Sequence, residues 1–318
     1  MRSIRVVAPG ALTTVQDLGR AGHASSGVSA SGAADPLSLR VGNLLVGNDP
    51  GAAALEMTLV GGAFEVDTPA LVAVTGSDFS PVITDVSGHA RPAAAWTALT
   101  VEPGETIRLG PTRSGARCYL CVRGGLDVPR VLGSRSTHVL TGLGGHRGRG
   151  LRMGDTLAIG SEAPGPAQVL RASPDVLERI ILRKLLRTVS GPQVDWFPHA
   201  SVAAFHTTLW EVSEEADRLG LRMRGPVLTR NDERQLPTEG VCLGAIQVPD
   251  GGQPILLFVE AQTTGGYPKI ANVVSADLPA VGQLRPRDRV RFEPVPPARA
   301  RELLLEQTRL LAGALEPA

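Results

Sequence analysis

The chain has 318 residues, 42% of them hydrophobic, with 32 basic and 31 acidic side chains for a net charge of +1. This length allows two domains of ordinary size or one large β unit, and the charge balance argues against a nucleic-acid or anionic-membrane surface. No run of about 18 uncharged apolar residues occurs, and Pro9 interrupts the N-terminal stretch before a signal core forms, so a cytoplasmic protein is expected.

Short alternating or β-branched segments punctuated by 37 glycines and 25 prolines predict a mainly β protein with few helices. The first helix starts at Asp35, a capping residue followed by Pro36, with Leu37, Val41, Leu44 and Leu45 on one face and Gly47 as the stop. A pattern of turn, acid and alternating strand recurs at 101–109, 151–159 and 284–292, led by Glu105, Asp155 and Asp288. Cys118 and Cys121 have redox or zinc spacing, yet lie in a segment that reads as a strand, where residues three apart face opposite sides. Buried structural thiols are therefore expected, and no metal site, because only Cys242 could join them. The six histidines show no pair at helical metal spacing, and His23 and His146 sit in glycine-rich loops.

The Pro/Gly/Ala-rich stretch 161–173 is the expected linker, giving an N-terminal domain at 1–165, a smaller C-terminal β domain at 174–296 and a C-terminal helix within 297–318. Leu303, Leu304, Leu310 and Leu311 form the apolar stripe of that helix.

The most polar loop follows the apolar run 254–259. From Glu260 to Lys269 it carries Gln262, Thr263, Thr264, Gly265, Gly266 and Tyr267, which reads either as a hairpin turn or as a binding loop. Lys269 is one of two lysines, the other being Lys184. Asp17 and Arg20, and likewise Asp217, Arg218 and Arg222, suit either an anion clamp or an internal pair that pins a loop. Arg123, Ser134, Arg135 and Ser136 sit beside glycines whose amides suit an anion, or serve turn chemistry. There is no Gly-x4-Gly-Lys phosphate loop and no Gly-x-Ser-x-Gly elbow. Neither lysine is flanked by methionines, so no covalent biotin is expected on this chain.

Seven motifs occur in order: TVQDLGR at 14–20, GAAD at 32–35, RGGLD at 123–127, GSRST at 133–137, DRLGLR at 217–222, GAIQVP at 244–249 and QTTGGYP at 262–268. Together they resemble the family called allophanate hydrolase subunit 2, Kip inhibitor antagonist or the C component of 5-oxoprolinase, which is similar to half of the carboxyltransferase domain of urea carboxylase. Glu260 stands where that family usually has aspartate, and Thr238 where it has serine. The resemblance implies two cyclophilin-like β-barrel domains. It also implies an ATP-dependent 5-oxoprolinase that opens 5-oxoproline to glutamate, assembled with a subunit 1-type partner and a third protein, the ATP being bound by the complex. One alternative is a carboxyltransferase half acting on urea-derived amides with biotin delivered in trans, and another is a regulatory binding protein. On residue chemistry, Glu239 is the expected general base or orienting acid and Lys269 its electrostatic partner, with Arg222 alongside. Gln247, Gln262, Thr263, Thr264 and Tyr267 would orient the substrate. Convergence of Gln262, Thr264, Tyr267 and Lys269 in a pocket would favour catalysis, and their display over a flat face would favour a binder.

Overall fold

The computed structural model of the chain describes residues 2–161, 169–180, 184–231 and 233–318. The chain divides into two compact units, residues 1–20 with 31–181 and 310–318, and residues 21–30 with 182–309. β-strands dominate both.

In the first unit, six strands form one antiparallel sheet in the order Thr156–Ala158, Ser3–Ala8, Ala63–Val66, Thr106–Arg108, Val82–Thr84, Ala90–Pro92. A second antiparallel sheet runs Leu12–Gln16, Ala54–Thr58, Arg117–Val122, Ala70–Gly76, Ala98–Val101. Ile4, Val6, Phe64, Ile83 and Ile107 from one sheet meet Val15, Leu55, Met57, Val72 and Leu120 from the other in a single core. Each such buried side chain contributes about 1.5–3 kcal/mol of apolar burial.

The helix Pro36–Leu45 covers the outer face of the second sheet, where Leu39, Val41 and Leu45 pack with Ala73, Tyr119 and Cys121. Its first turn is held by Asp35, which accepts hydrogen bonds from the Ser38 amide (3.0 Å) and hydroxyl (2.6 Å). Leu44, expected on the packed face, is only half-buried, and Leu39 takes that role. The helix lies so close to the sheet that a Cβ at Gly42 would come within 2.7 Å of Cys121 Sγ and Thr75 Oγ1. The strand Arg117–Val122 is consequently buried on both faces, with Cys118 in the inter-sheet core and Cys121 under the helix. Burial pushes both thiols up, so neither ionises near neutrality.

The second unit is a closed barrel in the order Leu185–Ser190, Lys269–Val273, Ala245–Gln247, Ile255–Leu257, Gly220–Arg224, Trp210–Val212, Arg289–Pro294. Parallel pairing of the last strand with the first closes it. Leu221 and Met223 are buried while Arg222 and Arg224 are exposed, and Val290 and Phe292 alternate in the same way with Arg291 and Glu293. Phe292 stacks on Phe205 of the helix His199–Thr207, with ring centroids 4.7 Å apart. That helix carries little apolar periodicity, and the sequence reading did not anticipate it.

The repeated motif resolves into one turn used three times. The acid accepts from the backbone N–H three residues earlier: Glu102 N–H to Glu105 (2.9 Å), Arg152 N–H to Asp155 (2.8 Å) and Arg285 N–H to Asp288 (2.9 Å). Each acid also meets a cation, Arg91, Arg149 and Lys184 respectively. The residue before each acid has positive φ, at Gly104 (86°), Gly154 (84°) and Arg287 (71°), so the third copy places an arginine where the backbone favours glycine.

Of the expected linker 161–173, residues 162–168 lie outside those described, and Leu170–Ala172 is a strand. The C-terminal stretch is not helical throughout. The helix Pro297–Ala312 ends, and Leu315–Pro317 returns as a strand paired with Leu170–Ala172. Within the expected leucine stripe Leu303 is fully buried, against Val274 and Ala276, while Leu304 is exposed.

Candidate functional site

In the first unit, the expected anion-binding segments bind an anion that the chain itself supplies. The Asp17 carboxylate accepts from the Ser134 and Ser136 hydroxyls (2.6 Å each), the Gly19 amide (2.8 Å) and the Arg135 amide (2.6 Å). Ser134 and Ser136 are therefore buried and committed to structure. Arg20 does not reach out as a clamp: it is 2% exposed and donates to the Ser136 carbonyl. Arg123 is likewise buried, and Arg135 donates to the Val128 carbonyl and to Asp127. The Gly124 amide is held by Asn48 and the Gly125 amide by the Val122 carbonyl, so the backbone donors expected for a ligand are already in use. A polar cavity of about 660 Å³ lies beside these loops, lined by Asp17, Asn48, Asp127, Arg130 and Arg135 among others. Of the two loop histidines, His146 Nε2 lies 3.4 Å from Asp155, and His23 precedes the short turn Ala24–Ser26.

The second unit brings together part of the set read as substrate-binding: Gln247, Gln262, Tyr267 and Asp217. Lys269, Gln247, Ile255 and Arg222 are successive register partners across four adjacent barrel strands. The neighbours Ile246, Leu256 and Leu221 fill the interior, so Gln247, Ile255 and Arg222 face the outer wall of the barrel. Against that wall lies a cavity of about 350 Å³, lined by Gln247, Arg222, Asp217, Gln262 and Tyr267 together with apolar Leu219, Ile255 and Leu257. Gln247 is only 1% exposed because the loop following the apolar strand folds back over it. A Cβ at Gly265 would lie 2.6 Å from its Nε2. Gly265 is in turn the register partner of Glu239 in a two-residue strand pair, Glu239–Gly240 with Thr264–Gly265.

Glu239 and Lys269 are brought together as expected. Lys269, 4% exposed, forms an ion pair with Glu239. The hydrogen bond from Lys269, reinforced by one from Gln193, holds the Glu239 carboxyl below its usual range. Gln193 bridges the pair: its Nε2 donates to Glu239 Oε1 (3.1 Å) and its Oε1 accepts from the Lys269 amide (3.1 Å). Sequence reasoning missed Gln193, for which the only local signal is the turn at Gly191 that closes the strand Leu185–Ser190.

The other expected members divide among internal pairing, the cavity and positions outside both. Arg218 is buried and donates to Glu260 Oε1 at 2.6 Å, an internal pair. This pairing gives the departure at Glu260 a structural role. Asp217 accepts from the Leu219 (2.8 Å) and Gly220 (3.1 Å) amides while lining the cavity. Thr263 accepts from the Val241 amide through its carbonyl, and Thr264 is exposed in the two-residue strand; neither lines the cavity. Arg222 sits opposite Glu215 at 3.5 Å, both exposed, so its guanidinium is accessible.

Known proteins resemble this chain along nearly its whole length. The chain is 39% identical over 289 residues to the C component of 5-oxoprolinase from Escherichia coli, covering 88% of this chain and 87% of that protein. It is 35% identical to a urea amidolyase of Lachancea kluyveri, covering 95% of this chain but only 17% of that protein. The crystal structure of the Kluyveromyces lactis urea carboxylase superimposes with a TM-score of 0.90 at 31% identity, covering 97% of this chain and 29% of that one. The model of the carboxyltransferase domain, subdomain A and B, matches residues 26–294, and the chain belongs to that family.

Proposed function

We propose that the chain is one component of a multi-protein, ATP-dependent 5-oxoprolinase, and that it binds the lactam in the outer-wall cavity of its barrel. The single observation that carries this reading is the convergence of Gln247, Gln262, Tyr267 and Arg222 in one cavity, where Gln247 is the strand-register partner of Lys269, a buried lysine paired with the half-exposed Glu239. Of the four loop residues whose convergence would favour catalysis over a regulatory binder, Gln262 and Tyr267 line the cavity, while Thr264 is exposed outside it and Lys269 turns to Glu239. The near-full-length likeness to the C component of 5-oxoprolinase supplies the substrate.

In the overall reaction the ring C–N bond breaks, the oxygen of water ends in the new carboxylate, and the released nitrogen takes a proton. Lys269 provides a fixed positive charge next to the site, suited to stabilising oxygen charge that develops on the lactam carbonyl. A carboxyl held below its usual range and already paired is a weak base, so Glu239 acts as the orienting carboxylate that fixes the ammonium. Arg222, facing only a loosely placed Glu215, is suited to the substrate carboxylate. The driving force comes from ATP. The commitments of the Gly124 and Gly125 amides and of the 133–136 turn leave little here to cradle a triphosphate, which favours a nucleotide site on a partner protein.

A subunit 1-type protein and a third protein are the proposed partners, in the cytoplasm; among the described residues no helix is long and apolar enough to cross a membrane. The likeness to urea carboxylase favours a second reading, a carboxyltransferase half served by biotin on another chain. Co-expression with both partners, followed by measurement of ATP-dependent glutamate release, tests the first reading. Release is expected with the wild-type chain and a loss of at least about 100-fold with Lys269→Ala. A tight complex without release would move the assignment to the second.

A further inference from the structure

Gln247 presents an unusual state. Its side chain is 1% exposed, it lines the outer-wall cavity, and its Nε2 has no hydrogen-bond partner among the described residues. Buried amide donors are almost always paired, so an unpartnered donor sealed just behind a cavity wall marks a place where a ligand supplies the acceptor once the covering segment moves. The surroundings hold that amide in position. It lies between register partners Lys269 and Ile255, and under Gly265, where there is no side chain to displace it.

We propose, resting on the oxoprolinase reading, that Gln247 recognises the cis-amide edge of the substrate through a paired hydrogen-bond ring. A carboxamide offers one donor and one acceptor side by side. A lactam is locked cis, so its N–H and C=O project from one edge with the complementary order. The substrate N–H donates to Oε1, and Nε2 donates to the substrate carbonyl. Rotating the Gln247 amide by half a turn exchanges donor and acceptor, but only one of the two orientations matches a given ligand pose. Because Nε2 is sealed beneath Gly265, the strand pair that carries Gly265 rides outward to admit the carbonyl.

The same edge is present in urea, where an N–H lies cis to the carbonyl oxygen. One recognition residue therefore suits the substrates named by both groups of relatives, and the carboxylate contact at Arg222 separates a lactam acid from a simple amide. The ligand class follows: unsubstituted cyclic lactams and ureides are accepted, and N-alkylated lactams are rejected.

The experiment uses two lactams that differ by one methyl group, 2-pyrrolidinone and N-methyl-2-pyrrolidinone, as inhibitors of the assembled complex and as ligands of the full chain in ligand-observed NMR. At least a tenfold preference for the N–H lactam is expected in both assays. In the complex, Gln247→Glu and Gln247→Met are expected to raise the KM for 5-oxoproline at least tenfold, with a smaller effect on kcat and unchanged thermal melts. Equal binding of the two lactams, or an unchanged KM in both variants, overturns the assignment to Gln247 even if turnover is intact. Selective lactam binding that is lost in Gln247→Glu, in a complex that never turns over 5-oxoproline, keeps the assignment and removes the oxoprolinase reading. Binding of neither lactam together with no turnover removes both.

Discussion

Asp17 shows how far residue chemistry can be read from sequence. Asp17 with Arg20, and separately Arg123 with Ser134, Arg135 and Ser136, read as anion-binding or structural turn segments, but not as one site and not with an internal anion. The anion is Asp17 itself, gathering loops more than a hundred residues apart. Removing it leaves two buried hydroxyls and two amides without their acceptor, each costing about 1–3 kcal/mol when unsatisfied. Asp17→Ala is expected to destabilise the first unit by about 3 kcal/mol, allowing for relaxation, seen as a lower urea midpoint with the denaturant slope unchanged. Lys269 and Glu239 were recognisable as partners, since each stands out in composition or at a turn. Gln193 was not, because an amide that bonds a backbone N–H 76 residues away leaves no local pattern.

Among the elements, the recurring acid turn was readable in all three copies because its requirements are local: a positive-φ residue, an acid and a backbone N–H three residues before it. Its third copy is the imperfect one. Arg287 holds φ 71°, at a cost of about 1 kcal/mol for a side-chain-bearing residue, and its ion pair with Glu214 is exposed. Arg287→Gly is expected to stabilise the barrel by roughly 0.5 kcal/mol after the greater chain entropy of glycine is counted, measured by thermal melting.

The second copy has a pH signature. The bidentate Arg149 contact holds the Asp155 carboxyl well below its ordinary range. A depressed folded-state pKa contributes stability that is fully present above the unfolded value of about 4 and is lost as the pH falls below it. Asp155→Asn is therefore expected to be less stable than wild type at pH 7, with the gap narrowing steadily between about pH 4 and pH 2 in urea titrations. A gap independent of pH would mean that the ion pair contributes nothing through its charge.

For the whole molecule, the chain's end belongs to its first unit. Ala314 is buried, Leu310, Leu311 and Leu315 pack against the helix-side core, and Leu315–Pro317 pairs with Leu170–Ala172. Truncation after Arg309 is expected to lower the melting temperature of the first unit by several degrees, since it strips one edge strand and part of that core. An unchanged melt would show that this return adds no stability.

The mainly β class, the capped helix at Asp35, the three acid turns and the opposed faces of Cys118 and Cys121 could be read directly from the sequence. Each rests on periodicity or hydrogen bonds within a few residues, which leave their pattern in neighbouring letters. Tertiary structure settled the rest: strand register made the row of Lys269, Gln247, Ile255 and Arg222, and loop packing made the Gln193 bridge and turned Arg20 and Arg218 inward rather than toward a ligand. Register is a relation between distant segments fixed by packing the whole barrel, and a shift of one residue would send each side chain of that row to the opposite face, just as loop packing joins segments far apart in the chain.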